Sequence, residues 1–259
     1  MVKGLYTAYT GMLHEQNRMD VLTNNLANAD TIGFKKEGAT AQSFDAMLVD
    51  KIKDDSSPLG LAQRIGRANP GVKIGEGYTD YSQGAFQITD VPYDFALGGN
   101  GFFTIEYTNK SGETSVLYTR DGNFSVTADG YLVTQDGDYV LSTNSGYIKL
   151  DPNAEFTVDR DGSIFQNNVK VAQMQITDFS DYNYLEHFGE NYYVPVDGAE
   201  AVDAQDCQVY QGYLETSNVS IVSEMVEMIS VSRQYESNQK VIQTIDSSLD
   251  IAANQLGKV

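Results

Sequence analysis

The first apolar stripe of the chain lies near its N-terminus. Between Gly4 and Asn28 there is no proline, and apolar residues recur at intervals of mostly three and four, which is the period of an α-helix. The members of this stripe are Leu5, Ala8, Met12, Met19, Leu22 and Leu26. Turn-forming residues follow at Asp30, Thr31 and Gly33, so the helix is predicted to end near Asn28.

A second, longer apolar stripe lies at the other end of the chain. Residues 218–256 contain neither proline nor glycine, Ser217 and Asn218 are good N-cap residues, and Gly257 suits the C-terminal stop. Such a helix is about 58 Å long at 1.5 Å per residue, which is more than one small domain covers. Its clearest repeat has the spacing of a coiled coil: Ile242, Ile245, Leu249, Ala252 and Leu256. We expect the two terminal helices to pack together, with burial of the long helix on the chain's own core as the alternative.

The middle of the chain has the pattern of antiparallel β-strands. From about Gly75 to Gly212, short runs rich in Val, Ile, Tyr, Phe and Thr alternate with glycine-containing turns. Asp-Gly pairs recur between the runs, and they predict type I′ hairpin turns because both residues tolerate a positive φ. These pairs are Asp121-Gly122, Asp129-Gly130, Asp136-Gly137 and Asp161-Gly162.

The predicted fold is therefore α+β, with long N- and C-terminal helices packed as a coiled coil and a central, mainly antiparallel β domain. The segment between the first helix and the β domain contains KIKDDSSPLG, which is polar and punctuated by Pro and Gly, so it is predicted to be a flexible or extended connector. Four segments follow from this division: 1–36 with the first helix and a loop, 37–74 as connector, 75–212 as β domain, and 213–259 with the last helix.

Composition and charge exclude several classes of protein. The chain has 17 Lys and Arg against 36 Asp and Glu, a formal net charge of −19 that repels nucleic acid and anionic membranes. A single cysteine, Cys207, excludes an internal disulfide framework, and His14 and His187 alone leave little for a histidine metal centre. The N-terminus lacks the apolar region of a signal peptide and no apolar run is long enough to span a membrane, so export is expected to need another route.

No motif in the chain points to catalysis. The acidic fragments at 136–138 and 159–162 lack the ligand set of a calcium loop, so we interpret them as turns. The glycine-rich stretch at 98–101 is not followed by Gly-Lys-Ser/Thr, and a tight turn accounts for it better than a phosphate loop. Cys207 has no neighbouring His or Arg in the sequence to activate its thiol. We expect no enzyme, no cofactor, no metal site and no small-molecule substrate.

Three separated stretches of the chain resemble the signatures of one known family, and they occur in the same order as in that family. The stretch Asn24–Asn28, followed by Thr31, Gly33, Phe34 and Lys35, is similar to the N-terminal signature of that family. The stretch YLETSNV at 213–219, followed by EMV at 224–226 and RQYE at 233–236, resembles the C-terminal signature. Between them, GNGFFTI and YTRDGNFSVTADGYLVT resemble its β domain. The chain therefore resembles the bacterial flagellar rod and hook proteins over nearly its whole length.

The resemblance implies a structural subunit of the flagellar rod, the drive shaft of the basal body. Such a subunit is expected to self-assemble into a helical tube through its terminal helices, as a homo-oligomer in contact with other rod proteins and with hook protein. It is expected to leave the cell through the flagellar type III export apparatus, without a cleaved signal peptide, with its ends disordered before assembly. VKIGEG at 72–77, FGENYY at 188–193 and VYQGYLETSNV at 209–219 most resemble distal-rod members. A proximal-rod member is the alternative, and a secreted β-rich binding protein is a more distant one.

The stripes and signatures together predict the residues of an assembly interface. Apolar stripe residues would drive association by burial, and the asparagines of the signature would end the first helix and bond to neighbouring backbone. The predicted residues are Leu5, Met12, Leu22, Asn24, Asn25, Leu26, Asn28, Gly33, Phe34, Asn218, Met225, Met228, Tyr235, Ile242, Ile245 and Leu249.

Overall fold

The computed structural model describes residues 2–51 and 63–254, apart from 111, 145, 153, 190 and 205. The chain divides into two compact units. The helical unit draws on Met1–Leu26, Glu37–Thr79 and Ser220–Val259, and the β unit draws on Ala27–Lys36 and Asp80–Val219. The α+β class is confirmed.

Two long helices and a β-ribbon make up the helical unit. Helix α1 spans Val2–Ala27 and helix α2 spans Ile221–Asn254. The strands are β1 (Glu37–Ser43), β2 (Met47–Lys51), β3 (Gln63–Ala68) and β4 (Val72–Thr79). β1 pairs with β4 and β2 pairs with β3, both antiparallel, so the described ribbon runs from the pair Glu37–Thr79 to the pair Lys51–Gln63.

This ribbon occupies much of the stretch for which the sequence predicted a connector. Its pattern escaped prediction because the side chains of β1 are half-buried or exposed on both faces, which leaves no alternation of apolar and polar residues. Of the polar segment KIKDDSSPLG, only Lys51 belongs to the described residues, so the expected flexibility there lies outside them.

Helix α1 ends close to the predicted position, but α2 starts later than predicted. The predicted N-caps, Ser217 and Asn218, lie before the helix, and the Ser220 carbonyl accepts the hydrogen bond of the Glu224 N–H at its first turn. Asn218 cannot cap the helix because its side chain is bonded elsewhere, as described below. The predicted stop at Gly257 lies outside the described residues.

Strands dominate the β unit, with one short 3₁₀ helix at Tyr182–Tyr184. The first eight are β5 (Phe86–Ile88), β6 (Phe95–Gly98), β7 (Phe102–Thr108), β8 (Thr114–Thr119), β9 (Phe124–Val126), β10 (Leu132–Thr134), β11 (Tyr139–Val140) and β12 (Phe156–Val158). The others are β13 (Ser163–Gln166), β14 (Val169–Gln173), β15 (Ile176–Phe179), β16 (Leu185–Phe188), β17 (Tyr192–Pro195), β18 (Ala201–Asp203), β19 (Gln208–Gln211) and β20 (Tyr213–Glu215).

A nine-stranded antiparallel sheet organises the β unit. Its main path is β16-β17-β8-β7-β11-β10-β9, and β15 joins it through β7 and carries β18 on its other side. A three-stranded sheet β12-β13-β14 and the pairs β19-β6 and β20-β5 complete the unit. The core buries apolar side chains from several of these strands and from the segment between β11 and β12: Phe95, Leu97, Phe103, Ile105, Leu117, Ile148 and Ile164.

The Asp-Gly turns differ from the predicted type I′ geometry. Gly130, Gly137 and Gly162 have φ of 87°, 95° and 78°, whereas the aspartates before them are not in the left-handed region. Each of these glycine N–H groups donates to the carbonyl three residues earlier, which is a type I turn followed by a left-handed glycine. Two consecutive positive φ values, 52° and 65°, occur instead at Asn167 and Asn168, between β13 and β14.

Candidate assembly surfaces

Helices α1 and α2 contact each other along one face within the helical unit. As the residue number rises along α1, the number of its partner on α2 falls, so the two helices run antiparallel. The contacting pairs are Gly4 with Ile245, Gly11 with Asn238, Arg18 with Glu227, and Asn25 with Glu224. Glycine allows close approach here: a Cβ on Gly11 would lie 3.1 Å from Nδ2 of Asn238.

The predicted stripe residues differ in how deeply they are buried. Leu22 is buried, while the exposed ones are Met225 and Leu249. The others are half-buried: Leu5, Met12, Leu26, Met228, Tyr235, Ile242 and Ile245. Along α2 the half-buried and buried positions repeat every three or four residues, so they form a single face, which includes the contact residues Glu224, Asn238 and Ile245.

The Asn25 side chain makes two hydrogen bonds to the backbone of Glu37, at the start of the ribbon, as a neighbouring β-strand would. Its side chain is fully buried, Nδ2 donates to the Glu37 carbonyl at 2.8 Å, and Oδ1 accepts from the Glu37 N–H at 2.9 Å. Nδ2 also donates to Oε2 of the buried Glu224 at 3.3 Å. One amide therefore joins α1, β1 and α2. Asn24 is exposed, and its Nδ2 donates to Oε2 of Glu37 at 3.3 Å.

A buried ionic network lies in the β unit. The ammonium of Lys35 is 2.6 Å from Oε1 of Glu215, and Nη1 of Arg120 is 3.3 Å from Oε2 of the same carboxylate. The Gly84 N–H donates to Oε1 at 2.9 Å, and Lys35 also donates to the Ser82 carbonyl at 2.9 Å. The Glu215 carboxylate thus fixes several distant segments of the chain.

The network contains two cations for one carboxylate. Burial lowers the pKa of the Lys35 ammonium, and the charge of Glu215 opposes that shift. The guanidinium of Arg120 donates from Nη2 to the Gly99 carbonyl at 2.8 Å and lies 5.2 Å from the centre of the Phe102 ring. Removing the carboxylate would leave two buried cations uncompensated, which is costly in a low-dielectric interior.

Gly33 and Phe34 dock the signature loop into the same unit. The Gly33 N–H donates to the Glu215 carbonyl at 2.8 Å, and its φ of 70° lies in the left-handed region. A Cβ at this position would lie 2.6 Å from the backbone carbon of Arg120 and from the Asp121 nitrogen. The ring of Phe34 is buried and meets His187 edge-on, with the centroids 6.3 Å apart.

Asn218 and Asn28 also bond within the β unit. Oδ1 of Asn218 accepts from the Lys36 N–H at 2.7 Å, and its Nδ2 donates to the Asp80 carbonyl at 2.7 Å. Oδ1 of Asn28 accepts from the Thr31 hydroxyl at 3.3 Å. The structure therefore brings the signature residues together inside the chain's own units, in two separate clusters.

Four charged residues of these clusters were not among the predicted interface residues: Glu215, Arg120, Lys35 and Glu224. Three of these charged residues lie within the signatures: Lys35, Glu215 and Glu224. A charged residue next to residues that are expected to be buried is the signal that could have indicated them. Their partners could not be found this way, because Lys35 and Glu215 are 180 residues apart in the chain.

Each terminal helix also presents an apolar face to solvent. The α1 outer face consists of Tyr6, Tyr9 and Leu13, with Tyr6 61% exposed. The α2 outer face consists of Val222, Val226, Ile229 and Arg233, with Val222 73% exposed. Of these seven, none was among the predicted interface residues. Because these residues are three and four positions apart on each helix, they form a second helical stripe that can be seen in the sequence.

The α2 outer face includes a shallow groove. It is lined by Val226, Ile229, Ser230, Arg233, Gln234 and Ser237. The groove follows a single helix and holds apolar side chains at one end and polar ones at the other. Its shape suits a neighbouring helix better than a small molecule, which needs an enclosing pocket.

Among the described residues, no group of three His, Cys, Asp or Glu is placed to hold a metal ion. No helix in this part of the chain is long and apolar enough to cross a bilayer. Burial raises the pKa of the Cys207 thiol to about 11, which keeps it protonated and unreactive at neutral pH.

Long helices with exposed apolar faces, joined to a β unit, are typical of a structural subunit, and the comparisons with known proteins identify the family. Residues 5–35 match the family described as flagella basal body rod protein. Residues 96–166 match the flagellar hook protein FlgE/F/G D1 domain, and residues 210–256 match the C-terminal region of the flagellar basal body rod FlgEFG proteins.

Relatives align over the whole chain. The flagellar hook-basal body complex protein FlhO of Bacillus subtilis (strain 168) is 34% identical, with 100% of both chains covered. The flagellar basal-body rod protein FlgG of Caulobacter vibrioides is 34% identical over 98% of this chain and 99% of its own length. FlgF of the same bacterium is 32% identical over 100% of both chains.

The chain belongs to the flagellar basal-body rod protein family. It is a structural subunit of the rod in the flagellar basal body, and not an enzyme. Rod subunits assemble with other rod and hook components, and this partner class follows from the family.

Proposed function

We propose that the chain is a distal-rod subunit that self-assembles into a helical, torque-transmitting tube through its terminal helices. Support for the distal position comes from three segments, at 72–77, 188–193 and 209–219, which most resemble distal-rod members. FlgG and FlgF relatives align at similar identity, 34% and 32%, so a proximal-rod subunit is the second candidate.

The exposed apolar faces of α1 and α2 are the observation that carries self-assembly. A large apolar side chain contributes about 1.5 to 3 kcal/mol when it is fully buried, so covering several of them favours association. The two faces lie on different helices and differ in composition. Contact between unlike surfaces is heterologous, and such a contact produces an open helical assembly when its rotation does not close a ring.

The segments take distinct roles in this proposal. The terminal segments 1–36 and 213–259 act in assembly, with α1 and α2 as an antiparallel coiled coil inside each copy, and the β domain at 75–212 forms the outer layer. Of the interface residues expected from sequence, the exposed Met225 and Leu249 offer surface to a neighbour. The buried Asn25, Gly33 and Phe34 act by shaping the subunit.

The proposed partners are further copies of the chain, other rod proteins and hook protein. Before assembly the outer faces have no partner from another copy, so we propose that the ends are disordered during passage through the type III export apparatus and fold on incorporation. A purified subunit whose two terminal segments are fully helical by hydrogen exchange would contradict this part of the proposal.

Truncation tests the assembly role, and labelling tests the position. Chains lacking residues 1–30 or 230–259, produced in place of the full chain in the bacterium of origin, are expected to build no rods and to give non-motile cells. Motility with either truncation would refute assembly through the ends. A gold label on the β unit, viewed by electron microscopy of basal bodies, is expected next to the hook. A label near the membrane end of the rod would establish the proximal alternative.

A further inference from the structure

The outer faces of the two helices complement each other chemically. The α1 outer face is aromatic, with two tyrosines followed by Leu13, and the α2 outer face is aliphatic and ends in a guanidinium at Arg233. Arginine is attracted to the face of a tyrosine ring, and within the described part of the chain no ion pair engages Arg233. The α2 outer face therefore supplies a cation, and the α1 outer face supplies aromatic rings that attract it.

We propose that the α1 outer face of one copy packs against the α2 outer face of the next copy, with the two helices antiparallel. This inference rests on the proposed function, because it specifies the contact through which the copies assemble. The opposite faces of α1 and α2 are not available for this contact, because they already contact each other within one chain, for example at Gly11 and Asn238.

The direction of the helices follows from the symmetry of an open assembly. All copies of a helical tube point the same way along its axis. Since α1 and α2 are antiparallel within one chain, an α1 that lies along the tube axis meets the α2 of the next copy antiparallel. Packing of one face on its own copy would instead give a closed two-fold pair, which cannot extend.

The spacing of the two faces fixes a register. When Leu13 lies beside Val226, a step of four residues back along α1 brings Tyr9 level with Ile229 and Ser230. A further step of three residues brings Tyr6 level with Arg233. In this register the apolar side chains cover one another, and the Arg233 guanidinium lies over a tyrosine ring.

Disulfide trapping tests the contact. The substitutions Leu13→Cys and Val226→Cys are introduced together in a Cys207→Ser background, and the chain replaces the natural one in the bacterium of origin. Mild oxidation of isolated basal bodies is expected to give a ladder of covalently linked chains on a non-reducing gel. The matched control, Leu13→Cys with Val171→Cys, places the second thiol at an exposed position of the β unit and is expected to stay monomeric.

Two outcomes would overturn the contact while leaving the proposed function intact. One is a motile strain whose doubly substituted chain stays monomeric after oxidation, and the other is dimer formation by Leu13→Cys alone. Failure of the proposed function has a different signature, which is motility of cells that lack residues 1–30.

A charge substitution provides an independent test if the cysteine variant builds no rods. Arg233→Lys keeps a cation over the ring and is expected to keep motility, whereas Arg233→Glu is expected to abolish rod assembly. Equal swimming of the Arg233→Glu strain and the unsubstituted strain would refute the register.

Discussion

The Lys35 ammonium lies 2.6 Å from the Glu215 carboxylate, and both side chains are buried. One residue belongs to the N-terminal signature and the other to the C-terminal signature, so the ion pair joins the two ends of the sequence inside the β unit. The signatures of this chain thus have an architectural role besides any role at an interface.

Replacing the carboxylate of the network should strongly destabilise the β unit. Glu215→Gln keeps the shape of the side chain but removes the carboxylate that Lys35 and Arg120 share, and breaking a buried pair costs about 3 to 5 kcal/mol. Urea unfolding of the full chain measures this loss. Glu186→Gln, at an exposed position, is the control and should change the unfolding free energy by less than about 0.5 kcal/mol. Equal effects of the two substitutions would show that the network contributes nothing.

Gly33 should tolerate no side chain. Gly33→Ala combines the cost of a left-handed conformation, about 1 to 2 kcal/mol, with a clash against the backbone of Arg120. Gly112 has a similar φ of 82° but no atom within 4 Å of the added Cβ, so Gly112→Ala carries only the conformational cost. Thermal unfolding should show the larger decrease in Tm for Gly33→Ala. A decrease no larger than that of Gly112→Ala would contradict the close approach.

Asn25 should be more important than its neighbour Asn24. Asn25→Ala removes this hydrogen bond from the half-buried Glu37 N–H, and the loss of a hydrogen bond costs about 0.5 to 1.5 kcal/mol. The expected result is lower stability of the helical unit in assembled rods, measured as faster hydrogen exchange at Glu37 in isolated basal bodies and as reduced motility. Asn24→Ala alters an exposed side chain and should leave both readouts near those of the unsubstituted chain. The reverse order of the two variants would be incompatible with the structure.

Stability should fall between acidic and neutral pH through Asp121. Burial raises the pKa of this carboxyl from 3.8 to about 6. A raised pKa in the folded state means that the group favours folding fully below about pH 4 and that this contribution is lost as the pH rises through 6. The shift corresponds to roughly 2 to 3 kcal/mol.

Asp121→Asn removes that titration and should flatten the plot of unfolding free energy against pH between 4 and 7. The Asn123 N–H keeps an acceptor in this variant, because the amide oxygen can replace the carboxylate oxygen. Asp161 is the matched contrast, since the Ser163 N–H lowers its pKa and its contribution is lost as pH falls. An unchanged pH profile for Asp121→Asn would rule out this origin.

Elements with a local signal could be predicted from the amino-acid pattern alone. Apolar periodicity located α1 and most of α2, and turn residues located the antiparallel strands of the β unit, because helical faces and tight turns depend on neighbours a few residues apart. The order of the three signatures was sufficient to indicate the family.

Which of those residues contact each other depends on the packed fold and could not be predicted from local pattern. The side chains of β1 and β4 are half-buried or exposed, so these two strands form by pairing with each other and leave little apolar pattern in the sequence. The start of α2 depends on Asn218, which bonds to the backbone of Lys36 and Asp80 instead of capping the helix. The pairing of Lys35 with Glu215 joins residues far apart in the chain, and such a contact is selected by the packed fold rather than by local periodicity.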